Sequence, residues 1–83
     1  MNVELEVLRV LDEVLSLGGR SASFTRATHL LGAVPELDSM AVVSIITRLE
    51  EHLGISVDDS DIDGATFETL GSLVDFVTLR LEA

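Results

Sequence analysis

Apolar residues recur at helical spacing in three separated stretches of this chain, and that recurrence commits it to a helical architecture. Between Val3 and Leu17 the residues Val3, Val7, Val10, Val14 and Leu17 form one stripe, widened by Leu8, Leu11 and Leu15, while Glu4, Glu6, Arg9, Asp12 and Glu13 are expected to face water. Asn2 is a suitable cap, the early acids suit the positive end of the helix dipole, and Gly18-Gly19 supplies a stop. The second stretch starts at Asp38 or Ser39 and runs through Val43, Ile46, Leu49 and Leu53 to Gly54, with Arg48 and His52 toward its negative end. The last is capped by Thr69 and carries Leu70, Leu73, Val74, Val77 and Leu81, with Phe76 and Leu79 at its edge and Gly71 as a mild weakness.

The connections differ in kind. Arg20 to Leu37 scatters Phe24, Leu30, Leu31 and Val34 among Ser, Thr and Gly, with the one proline, Pro35, near its end. Unstructured stretches of this length are uncommon in a small domain and often functional, and Phe24, Leu30 and Leu31 are expected to pin this one to the core. Ile55 to Gly64 is an acidic connector with room for one short helical turn. The expectation is therefore all-α: a small four-helix bundle with a long loop between helices one and two and a single-turn third helix, residues 1–83 forming one domain.

With 83 residues and no cysteine, packing alone must hold that bundle, and an elaborate enzyme cleft has no room. The 47% hydrophobic content separates the chain from a disordered acidic tail despite a net charge of −10. Five basic residues against fifteen acidic ones exclude a nucleic-acid partner, because phosphates must be met by Lys and Arg. No apolar run approaches the ~20 residues of a membrane span, and Met1-Asn2-Val3-Glu4 lacks the character of a signal peptide, so a cytoplasmic monomer is expected.

Three constellations could carry chemistry. Asp38 and Ser39 are both favoured cap residues, yet a helix start whose amides and dipole favour negative charge also suits a phosphodiester on the Ser39 hydroxyl. Asp59-Ser60-Asp61-Ile62-Asp63-Gly64 begins like a calcium-binding loop, but Thr66 stands where an apolar residue is usual and Leu70 where a bidentate glutamate should close the sphere. A solvated linker is the better reading, and no metal site is expected. Hydrolase chemistry by Ser39 with His29 or His52 lacks any sign of an orienting acid or oxyanion hole, so no catalytic residue is assigned.

Leu37-Asp38-Ser39-Met40 resembles the Asp-Ser-Leu attachment motif of the acyl carrier protein family, at mid-chain and at the head of a second helix. The similarity extends through Leu49-Glu50-Glu51-His52-Leu53-Gly54-Ile55, the acidic linker and the Leu70–Val77 stretch. It implies a free-standing carrier and not an enzyme, with 4′-phosphopantetheine from coenzyme A attached to Ser39 by a magnesium-dependent phosphopantetheinyl transferase, and Asp38 and Met40 as the rest of the motif. An acyl group would ride as a thioester on the arm, loaded by a ligase or transferase and presented to downstream acyl-processing enzymes. Val43, Ile46, Leu70 and Val74 would surround an acyl pocket. Glu36, Asp38, Ala41, Ser44, Arg48, Glu50 and Glu51 would form the partner face, and there Ala41 and Ser44 replace acids that many members carry while Arg48 adds a positive charge. These departures resemble the specialised carriers that accompany bacterial exosortase and exopolysaccharide gene clusters. The reading from a different class is an unmodified acidic helical module that binds a basic protein surface.

Overall fold

The computed structural model describes residues 2–58 and 62–82. Three α-helices follow one another: α1, Val3–Leu15; α2, Ser39–Leu53; and α3, Leu70–Glu82. The all-α expectation holds; the described residues hold three α-helices, and the single-turn helix expected between Ile55 and Gly64 falls partly on residues 59–61, outside the described residues. Between Ile55 and Thr69 the described residues form turns at 64–67, where the Asp63 carboxylate accepts from the Thr66 amide (3.1 Å) and hydroxyl (3.3 Å), closing a tight turn. A short helical element lies in the first loop, as a 3₁₀ turn over Arg20–Ser23.

Helix α1 packs against both α2 and α3. Its buried residues are Val7, Val10, Leu11 and Leu15, which meet Ile45, Ile46 and Leu49 of α2 and Leu70, Leu73, Val74 and Val77 of α3 in one core. Asn2 caps α1 as expected, accepting from the Leu5 amide at 3.0 Å. The end comes earlier than expected: Ser16 already takes the left-handed conformation as the cap (φ 53°), ahead of Gly18 and Gly19, which also have positive φ, and the Leu17 amide reaches back to the Asp12 carbonyl at 3.0 Å. Stopping there turns the Leu17 side chain into the core. Glu6 is also not a water-facing residue; its side chain is 18% exposed, between Arg9 (3.6 Å) and His52 (3.1 Å).

In α2 the buried stripe is Ile45, Ile46 and Leu49 flanked by Val42 and Leu53, while Val43 is 65% exposed. Adjacent apolar pairs, Val42-Val43 and Ile45-Ile46, fit two helical phases equally well in sequence. Packing against α1 selects the one that puts Val43 outside.

The long loop is fastened by backbone as much as by side chains. Leu30 donates to Glu68 (2.9 Å) and Leu31 to Phe67 (3.0 Å), while Leu70 donates to Thr28 (2.9 Å) and Gly71 to Arg26 (3.0 Å). His29 and Thr69 form an antiparallel bridge at the middle of this seam. Leu30 and Leu37 are buried, with Phe24 and Val34 partly so, but Leu31, expected as a pin, is 47% exposed. Gly71 is no weakness here. A methyl group at that position would stand 2.9 Å from the Arg26 carbonyl oxygen, so the seam closes only over glycine. Thr69 caps α3 reciprocally with Ser72: each side-chain oxygen accepts the other's amide at 3.1 Å.

Asp12 performs the equivalent service for the 3₁₀ turn, accepting from the Ser21 hydroxyl (2.8 Å) and the Gly19 amide (3.0 Å). The Ser21 hydrogen bond, aided by backbone amides and the charge of Arg20, outweighs partial burial and holds this carboxyl below its ordinary 3.8.

Two outcomes follow from these contacts. Gly71→Ala should lower Tm by about 5 °C, because overpacking at ~1–3 kcal/mol exceeds the roughly 1 kcal/mol that alanine returns in an open helix. Thermal unfolding checks this, and a higher Tm would show that the seam does not close on Gly71. For Asp12 the folded form has the lower pKa, so its stabilisation is complete above the ordinary value of 3.8 and is lost as pH falls through the folded value. The stability advantage over Asp12→Asn should hold steady from neutral pH and shrink only below about 3.8; an advantage that grew on acidification would contradict the assignment.

Candidate functional site

Leu37 is buried, and its amide donates to the Val34 carbonyl at 3.0 Å, so the chain reaches α2 from a fixed point. Asp38 follows in extended conformation (φ −111°, ψ −176°) as the cap. Its Oδ1 accepts from the Ala41 amide at 2.8 Å, and its carbonyl accepts from the Val42 amide at 3.0 Å. Ser39 is therefore the first helical residue, exposed, its hydroxyl making no hydrogen bond to any described residue. The amides of Ser39 and Met40 likewise have no acceptor among the described residues. A free hydroxyl beside two free amides at the positive end of a helix is suited to bearing a phosphate group.

A groove of ≈ 340 Å³ opens beside that hydroxyl, lined by Leu31, Val42, Ile62 and Phe67 with Asp38, Ser39, Asp63 and Gly64. None of the four residues anticipated for an acyl pocket lines it. Ile46, Leu70 and Val74 are closed core, and Val43 points to solvent. The groove is assembled from loop, connector and helix, which no single periodic stripe announces. Phe67, one of three phenylalanines, offered the one signal: a large apolar residue alone in a connector usually anchors something.

Of the expected partner residues, Glu36, Arg48 and Glu50 have their side chains engaged within the chain. Glu36 is paired with Arg20, which holds its carboxyl below the usual carboxylate range. Arg48 turns to α1 and meets Glu13 at 2.6 Å, so it adds no net positive charge to the helix face. The Glu50 carboxylate accepts from the Val57 amide at 3.0 Å and fixes the connector. Ala41 is half-buried, and Ser44 and Glu51 are exposed.

Neither histidine serves Ser39. His52 is held by Glu6 and His29 lies in the backbone seam with Thr69. Of the calcium-loop resemblance, Asp59, Ser60 and Asp61 lie outside the described residues, Asp63 is engaged by Thr66, and Leu70 is buried in the core. Among the described residues no group of three or more His, Cys, Asp or Glu could hold a metal ion, and no helix is long and apolar enough to cross a membrane.

The family described as phosphopantetheine attachment site matches residues 36–77, a span that begins just before Asp38-Ser39 and ends within α3. A holo acyl carrier protein from Nitrosomonas europaea, solved by solution NMR, is 51% identical over 100% of both chains, with a TM-score of 0.91. No curated protein matches the chain.

Removing the cap and removing the hydroxyl should have different consequences. Asp38→Ala should destabilise the protein by about 1 kcal/mol, since the Ala41 amide loses its acceptor. Ser39→Ala, which removes no hydrogen bond, should fall within ~0.5 kcal/mol of wild type. Urea unfolding of the two variants checks the contrast; equal losses would show that the hydroxyl also holds the helix start.

Proposed function

The chain belongs to the acyl carrier protein family, whose phosphopantetheine attachment site its residues 36–77 match, and on that premise we propose that Ser39 is the residue that bears the arm. The single observation that carries this assignment is the geometry at the head of α2: an exposed hydroxyl with no competing hydrogen bond among the described residues, next to the amides of Ser39 and Met40, which likewise have no acceptor among them. Members of this family are carriers and not enzymes, and the arm is covalently attached phosphopantetheine.

When attached, the arm supplies a terminal thiol on which an acyl group is held as a thioester. The protein's own residues do the rest. Asp38 fixes the helix start, the free amides stabilise the phosphodiester charge, and Leu31, Val42, Ile62 and Phe67 offer an apolar wall along which arm or cargo can lie. Asp38 serves the site as a cap, holding the Ala41 amide and with it the helix start. Residues 1–83 act as one carrier domain, a cytoplasmic monomer.

Its partners are a phosphopantetheinyl transferase, a loading ligase or transferase, and downstream acyl-processing enzymes. The neutral Ala41 and Ser44 and the cancelled Arg48 support a specialised lipid, polyketide or exopolysaccharide-linked pathway over general fatty-acid synthesis.

Intact mass after incubation with coenzyme A, magnesium and a broad-specificity transferase tests the assignment. A single phosphopantetheine increment that vanishes in Ser39→Ala is expected. Retention of the increment in that variant would place the arm elsewhere, and its absence from wild type with every transferase would favour an unmodified acidic module.

A further inference from the structure

The chain contains no cysteine, tryptophan or tyrosine, and its sulfur is confined to two thioethers, Met1 and Met40. Met40 is 77% exposed, more than any other large apolar side chain among the described residues. No described residue engages its sulfur in a hydrogen bond. The buried face of α2 consists of Ile45, Ile46 and Leu49, so the fold neither uses this side chain nor shields it from solvent-borne oxidants.

Met40 follows Ser39 directly, and successive Cα atoms lie about 3.8 Å apart. An enzyme that brings a phosphate to the Ser39 hydroxyl therefore has to cover the Met40 side chain as well. A thioether is apolar and adaptable, and is covered readily. Its sulfoxide is polar and chiral, and burying that group without a donor is unfavourable. The sulfoxide oxygen is also an acceptor in the same helical turn as the amides of Ser39 and Met40, which have no acceptor among the described residues and are the donors suited to a phosphodiester.

On the reading that Ser39 bears the arm, we propose that Met40 is an oxidation site that controls attachment: a peroxide converts it to the sulfoxide, and the oxidised chain accepts the arm poorly. The thioether sulfur attacks one oxygen of hydrogen peroxide, the O–O bond breaks, an S=O bond forms, and the second oxygen leaves as water. Sulfur gives up two electrons and the peroxide takes them. Methionine sulfoxide reductases, with a dithiol as reductant, reverse the change. The site acts before attachment, because the unmodified chain has no thiol to intercept the oxidant, whereas the modified chain carries the terminal thiol of the arm.

The full unmodified chain, treated with hydrogen peroxide, freed of peroxide and mapped by peptide mass, provides the test. Met40 should gain one oxygen at a rate within about twofold of that of free methionine. With coenzyme A, magnesium and a broad-specificity transferase, kcat/KM for the phosphopantetheine increment should fall about tenfold or more on oxidation. Treatment with methionine sulfoxide reductases of both stereospecificities should restore it. Tm should shift by less than about 2 °C, since the side chain has no partner in the fold. In Met40→Leu the ratio of the rates before and after peroxide should be about one, whatever the starting rate, which separates Met40 from Met1. Oxidation of Met40 more than about tenfold slower than that of free methionine, or an equal loss of rate in Met40→Leu, overturns the proposal. An increment that forms equally fast on the oxidised chain refutes only the role of Met40, and its absence from the unoxidised chain refutes attachment at Ser39 and this proposal with it.

Discussion

The seam between the long loop and the start of α3 is the constraint on which the remaining structure depends. Four backbone hydrogen bonds, from Leu30 to Glu68, Leu31 to Phe67, Leu70 to Thr28 and Gly71 to Arg26, join segments some forty residues apart in sequence. Without them the residues between α1 and α2 would have to find partners for their amides in water, and Leu30 and Leu37 would lose their fixed places in the core. The seam also positions two of the four apolar residues of the groove, Leu31 and Phe67, which are hydrogen-bonded to each other through the backbone. A loop that would otherwise be long and costly to order thereby becomes the wall of the site.

The ion pairs distribute charge in a way that composition does not reveal. Arg20, Arg26 and Arg48 each meet a carboxylate from a distant part of the chain, respectively Glu36, Asp75 and Glu13. Two of these pairs flank α2, while Arg26–Asp75 fastens the loop to α3 beside the Gly71 contact. Such exposed pairs contribute little to stability individually. Their consequence is electrostatic: Arg20 and Arg48 each offset one carboxylate near α2, while the exposed Asp38 and Asp63 accept only from amides and keep their charge beside Ser39.

What was legible in the sequence is what is local. Capping by Asn2, Asp38 and Thr69, the glycine stop at Gly54 and the approximate helix spans depend on residues within a turn of one another, and they appear as expected. The phase of α2 was not legible, because Val42-Val43 and Ile45-Ile46 satisfy two stripes and only the position of α1 decides between them. Gly71 could not be distinguished from an ordinary helix-weakening glycine, since the atom that requires it, the Arg26 carbonyl oxygen, comes from another part of the chain. For the same reason Arg48 was legible as a charge but not as a cancelled one, and the groove residues Leu31, Val42, Ile62 and Phe67 carried no shared pattern.

The central claim is that the site at Ser39 is held ready by this seam before any arm is attached. Amide hydrogen exchange, compared between the unmodified and the modified protein, tests it most directly. The account predicts that the amides of Leu31, Leu70 and Gly71 exchange as slowly as the core amides of α1 in both forms, opening only with global unfolding. Exchange of those amides in the unmodified protein as fast as that of an exposed loop residue such as Ser56, with slowing only after attachment, would contradict it.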